Sequence, residues 1–102
     1  MNLPGQWRFR AEAGDRPIVG TLRFWFEGSR LYGTYTGLRG NTTTLTNVRV
    51  TGNLIAFDLV AARGTWHMDG TVAGSAMSGT FQTEARTIRF TATKEEGWVE
   101  PP

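Results

Sequence analysis

Three short stretches of this chain are built alike. Glu27-Gly28-Ser29-Arg30, Thr51-Gly52-Asn53-Leu54 and Ala73-Gly74-Ser75-Ala76 each set a Gly-Ser or Gly-Asn pair between runs that alternate apolar and polar residues. A two-residue hairpin turn requires a positive φ, which glycine adopts without steric penalty, and serine or asparagine tolerates the adjoining position. With these turns at 28, 52 and 74, the separation is about two strands plus their connections. The chain is thereby constrained to repeated antiparallel hairpins, an all-β meander.

The 102 residues suffice for one core and are read as a single domain over 1–102. Hydrophobic residues make up 39%, and six Phe with four Trp supply the apolar area that order requires. The absence of cysteine excludes disulfides, thiolate catalysis and Cys-based metal sites. No apolar run approaches the ~20 residues of a membrane helix, and Met1-Asn2-Leu3-Pro4 lacks the pattern of a secretory signal. The expectations are a cytoplasmic location and no membrane partner. The net charge of +2 comes from ten Arg and one Lys against nine acids. The arginines are scattered singly along the sequence, which reads as solvated strand faces with no nucleic-acid partner.

Alternation places strands over 5–12, 18–27, 30–38, 45–51, 54–61, 65–73, 76–83 and 87–94. The polar run 39–43 is the longest connection, and 95–102 reads as an irregular C-terminal tail. Eight twisted strands joined by tight turns tend to curl shut and remove their edges. The fold expected is therefore an eight-stranded antiparallel up-and-down β-barrel, its interior just wide enough for side chains or one small ligand. Gly20, Gly33, Gly37, Gly70 and Gly79 fall inside strand patterns, where they mark bends, bulges or close backbone approach.

Groups able to carry chemistry are few. His67 and Asp69 share one face of the sixth strand, so Asp69 could orient His67 as a base. Trp66, Met68 and Val72 take the opposite, core-facing side, and the reading adopted is that His67 and Asp69 are neighbours facing solvent. Asp58, between Phe57 and Leu59, also points away from the core. No three or four ligands converge at metal-site spacing, and no glycine-rich loop opens a helix. No catalytic residue, metal or cofactor is assigned. Trp7, Phe9, Phe24, Phe26, Tyr35, Phe57, Trp66, Phe81 and Phe90 can all point inward by alternation. They either fill the barrel or line a pocket open at one end, with Tyr35 supplying a hydroxyl. Trp25 and Tyr32 fall on the outer face, where large rings point to a protein contact such as a homo-oligomer.

Several of these residues carry a family likeness. Gly5-Gln6-Trp7 resembles the Gly-x-Trp that opens lipocalins and avidins, the calycin-type barrels. Leu31-Tyr32-Gly33-Thr34-Tyr35 is similar to the third-strand Gly-Thr-Tyr of avidin-like proteins. Ser78-Gly79-Thr80-Phe81, followed by Glu84-Ala85-Arg86, is similar to their seventh strand and its turn. The likeness implies an eight-stranded barrel with a basic residue, Arg89 or Lys94, closing its base over the Trp7 ring. It does not extend to biotin. The polar first-strand positions of avidins are Phe9, Ala11 and Ala13 here, Gly37 replaces a serine, and Met77 stands where avidins have tryptophan. Only Tyr35 matches a biotin-contacting position. Each hydrogen-bonding group of the biotin ureido left unpaired on burial would cost about 1–3 kcal/mol.

The function expected is that of a barrel holding a small apolar or aromatic molecule among Trp7, Phe24, Tyr35, Phe57, Trp66 and Phe81. Two other readings stand beside it. One is a cyclase-like enzyme that acts by positioning its substrate, and the other is a filled barrel that serves as an interaction module through Trp25 and Tyr32. The three Gly turns should share one rim, because each joins an even strand to the next odd one. A ligand mouth would then lie at the opposite rim, with the 39–43, 62–64 and 84–86 connections.

Overall fold

The computed structural model describes residues 3–14, 16–61, 64–84 and 86–95. All regular structure among them is β: β1 Gly5–Ala13, β2 Arg16–Glu27, β3 Arg30–Gly37, β4 Thr42–Thr44, β5 Thr46–Thr51, β6 Leu54–Ala61, β7 Gly64–Ala73, β8 Ala76–Gln82 and β9 Thr87–Lys94. Every pairing is antiparallel, in the order β4-β3-β2-β1-β9-β8-β7-β6-β5. The first and last strands pair with each other, Trp7 opposite Lys94 and Ala11 opposite Phe90, so the meander curls into a nearly closed barrel. Of the expected tail, residues 96–102 lie outside the described residues, as do 62, 63 and 85 of the expected turns.

The turn glycines behave as the sequence requires. Gly28, Gly52 and Gly74 have φ of 63°, 59° and 61°. Asn47 is the one non-glycine with positive φ among the described residues, so each turn has its positive φ on the leading glycine, as in a type II′ hairpin. Nothing lies within 4 Å of a Cβ added at Gly74. A β-branched residue there would suffer from the backbone conformation alone. Gly74→Val is expected to lower stability by about 1–2 kcal/mol, read from urea denaturation.

The strand count differs from expectation, nine in place of eight, and the reason lies in the threonines. Thr42-Thr43-Thr44 reads as loop by polarity, yet β-branched threonine is a good strand former with a side chain suited to an exposed edge. Thr44 pairs with Thr34 and Thr42 with Thr36, which makes β4 the neighbour of β3. At Leu45 the chain changes partner. Its side chain is buried (5% exposed) and its N–H donates to the Gly33 carbonyl at 2.9 Å, while β5 goes on to pair with β6. A register shift between Thr46 and Arg49, around Asn47 at φ 52°, bends the strand through this change. The two ends of the sheet are thus consecutive pieces of one chain segment, and that segment shuts the barrel.

The core fills the barrel in two layers. Trp7, Leu22, Phe24, Ile55, Phe57 and Met77 pack near the rim of the three Gly turns. There Leu3 covers the end, and its carbonyl accepts the Trp7 indole N–H at 2.8 Å. Lys94, of the two basic residues considered, closes this base, with Nζ 5.9 Å from the centre of the Trp7 ring. Toward the other rim Phe9 contacts Phe90 (5.2 Å between centroids), Phe81 (6.1 Å) and, edge on, Tyr35 (5.6 Å). Phe26 departs from the inward set. It continues the face of Phe24, but beside the Gly28 turn, beyond the end of the barrel, it is 53% exposed.

Candidate functional site

The six rings expected to line the interior do come together. Trp7, Phe24, Phe57 and Phe81 are buried (0% exposed), and Tyr35 and Trp66 are half-buried and packed against them. Phe24 meets Phe57 at 5.7 Å, and Trp66 stacks on Phe81 at 5.0 Å with 15° between the planes. The strands explain the arrangement. Successive inward positions of β7 carry Trp66 and Met68, and Met68 pairs with Phe81 of β8. Tyr35 lies on β3 opposite Leu22 and passes across Gly20 of β2, where a side chain of any size would collide with its hydroxyl.

Tyr35 and Trp66 therefore stand at the rim opposite the Gly turns, over a floor of Phe9, Phe81 and Phe90. On the Tyr35 side of this rim a cavity of about 370 Å³ opens, bounded by Ile18, Val19, Tyr35, Gly37, Leu38 and Arg39 among others. Burial pushes the Tyr35 phenol above its ordinary value, so it keeps its proton and can donate. Its contact to the Val19 carbonyl is long, 3.5 Å, which leaves it able to turn to a better acceptor.

A polar cluster sits on the outer wall, where His67 and Asp69 are exposed neighbours, as the adopted reading has them. His67 bonds not to Asp69 but to Asp58, its cross-strand neighbour on β6, with Nδ1 2.8 Å from Oδ1. Asp58 does point outward, yet it is only 8% exposed, because His67 and Asn47 cover it. Asn47 Nδ2 donates to its second oxygen at 3.0 Å. Burial alone would raise the Asp58 carboxyl. The hydrogen bonds from Asn47 and His67, with the charges of His67 and Arg49, outweigh it and hold the group below its ordinary value. A carboxyl depressed on folding adds stability above its unfolded value, near 3.9, and that contribution is lost as pH falls through the lower folded value. Asp58→Asn is expected to cost about 1 kcal/mol near pH 6 and to flatten the acid limb of a pH–stability curve. Thermal melts between pH 2 and 7, on the scale of about five units, would show it.

This cluster fastens Asn47, the bend through which the barrel shuts, to β6 and β7, so its evident role is in closure. No group of three or more His, Cys, Asp or Glu able to hold a metal occurs among the described residues. Trp25 and Tyr32, expected on the outer face, are there. They pair across β2 and β3 and stack on each other at 6.2 Å with 21° between planes.

The chain matches no protein-family model and no curated protein. Among solved structures it is similar to a redesigned beta barrel, with 16% identity, 92% of each chain covered and a TM-score of 0.73. At that identity the likeness concerns the fold. The chain is thus a small antiparallel β-barrel with an aromatic cluster inside.

Proposed function

We propose that this barrel binds a small apolar or aromatic molecule at the rim of Tyr35 and Trp66. The observation that carries this reading is the graded burial of one aromatic cluster. Its rings run from fully covered Trp7, Phe24, Phe57 and Phe81 to half-buried Tyr35 and Trp66, and Tyr35 borders a cavity of about 370 Å³. Binding sites for small molecules are concave, mostly apolar and supplied with few polar groups, within a range of about 300–1,000 Å³. Ile18, Val19, Leu38 and the Tyr35 ring give the cavity its apolar lining, the Tyr35 hydroxyl gives one hydrogen bond to orient the guest, and Trp66 stands at the same rim outside that lining. The packed base holds the upper rings in place, and a ligand lying against Trp66 would also reach Phe81 through their stack. The Gly5-Gln6-Trp7 opening and the base closed by Lys94 fit a calycin-type scaffold, whose members enclose ligands at such a mouth.

The test is a titration with an apolar aromatic probe, 1-aminoanthracene, followed by its fluorescence. Saturable one-to-one binding in the micromolar range is expected, weakened about tenfold or more by Trp66→Ala and by about three- to tenfold on Tyr35→Phe for a probe bearing an amine. Unsaturable binding, or binding indifferent to both substitutions, would sink the proposal.

A further inference from the structure

The arginines that look scattered in sequence are gathered by the strand register. On the outer wall, Arg30 and Tyr32 are two residues apart on β3, Tyr32 pairs with Trp25 of β2, and Arg23 lies two residues before Trp25. Arg23 pairs with Gln6 of β1, and Arg8 and Arg10 follow Gln6 on the same face. These side chains form one diagonal stripe, each step a nearest neighbour in the sheet. The two rings lie between Arg30 and Arg23, and guanidinium groups occupy both ends of the stripe.

Beyond Arg10 the stripe opens into a groove of about 510 Å³ lined by Arg10, Glu12, Arg86, Arg89 and Thr91 among others. Arg8 and Arg10 bond to Glu95 and Glu12 at 3.2 and 2.9 Å, but their side chains are 79% and 58% exposed. Exposed pairs of this kind exchange readily for other anions. Glu27, opposite Arg30, is a further acid at the stripe among the described residues. The other side of the barrel differs in charge, since the outer faces of β6 and β7 carry Asp58 and Asp69.

From this juxtaposition we infer that the outer wall of β3, β2, β1 and β9 binds single-stranded nucleic acid. Phosphates would lie along the arginines, and unpaired bases would stack on the Trp25–Tyr32 platform. The platform is already flat, with the rings 21° apart and the Arg30 guanidinium 5.6 Å from the Tyr32 centroid. Stacking tolerates any base, and arginine adds cation–π contact. A duplex hides the base faces that the rings would need. A second copy of this chain fits less well, because a two-fold contact would set the stripe against itself, arginine facing arginine. The inference is independent of the interior, since none of these side chains belongs to the core.

Fluorescence anisotropy of a labelled oligothymidylate of about ten nucleotides, titrated with the whole chain, tests it. With three to five phosphates contacted, affinity should fall roughly 20- to 130-fold between about 50 and about 200 mM salt. Trp25→Ala should weaken binding about tenfold or more, and Arg30→Ala should flatten the salt dependence by about one phosphate's share. Asp69→Asn, on the opposite side, should not weaken it. If circular dichroism shows that Trp25→Ala does not fold, Arg30→Ala decides alone. No binding at low salt would overturn the inference. So would unchanged affinity in the variants, or a Trp25-dependent dimer in sedimentation without oligonucleotide binding.

Discussion

Gly79→Ala is expected to cost the protein about 4 kcal/mol or more of its stability. Gly79 of β8 faces Gly70 of β7 across the sheet, on the inner side of the wall. A Cβ at Gly79 would run into the Asp69 carbonyl oxygen and lie 2.6 Å from the Gly70 Cα, both backbone atoms that cannot swing aside. The neighbouring space is taken as well, because Phe90 pairs with Gly79 and its ring lies 3.2 Å from where a Gly70 Cβ would be. The two strands must therefore separate, with loss of ladder hydrogen bonds and of the seat of Phe90. Overpacking alone costs typically about 1–3 kcal/mol, and displaced backbone adds to it. Against a total stability of about 5–15 kcal/mol, a loss of about 4 kcal/mol or more is expected, measured by urea denaturation. Gly74→Ala is the comparison: nothing obstructs a Cβ there, so it should lose only the about 1 kcal/mol that its positive φ costs a residue with a side chain.

Trp7→Ala is expected to be comparably severe, at about 3–5 kcal/mol. The ring is fully covered and belongs to the base layer of the core. Its removal leaves a large void, deprives the Leu3 carbonyl of its donor and leaves Lys94 without a ring beneath it. Trp7→Phe should recover much of the packing but not the hydrogen bond, so about 1–2 kcal/mol should remain lost. Equal stability of Trp7→Phe and the parent would mean that the indole N–H does not fasten the N-terminal segment over the base.

The fold was legible in the sequence wherever a local signal determined it. Glycine at 28, 52 and 74 marks turns because the backbone needs positive φ at those places, and alternation marked Trp7, Phe9, Phe24 and Phe57 as inward without knowledge of their partners. What escaped depended on register or on the limits of the barrel. Thr42-Thr43-Thr44 is too short and polar to signal a strand, and Leu45 changes partners only because β3 and β6 happen to flank it. Spacing along one strand places His67 and Asp69 together on the solvent face, but the carboxylate that His67 bonds, Asp58, lies across the ladder. Arg8, Arg23 and Arg30 are far apart in sequence, and only the pairing of β1, β2 and β3 makes them neighbours. Alternation also cannot say where a barrel ends, so Phe26 read as interior although it stands outside the rim. The rim site follows the same division. Its rings could be named from the sequence, but the half-burial that sets Tyr35 and Trp66 apart from Trp7, Phe24 and Phe57 could not.

Whether the aromatic rim holds a small molecule is read most directly by native mass spectrometry of the protein purified from its own host. A population heavier than the bare chain by one apolar compound of a few hundred daltons is expected, on the order of a guest that a cavity of this size admits. That population should shrink in Trp66→Ala and persist in Trp25→Ala, because only the first residue stands at the mouth. The mass of the bare chain alone, or a retained compound indifferent to Trp66→Ala, would contradict binding at the rim.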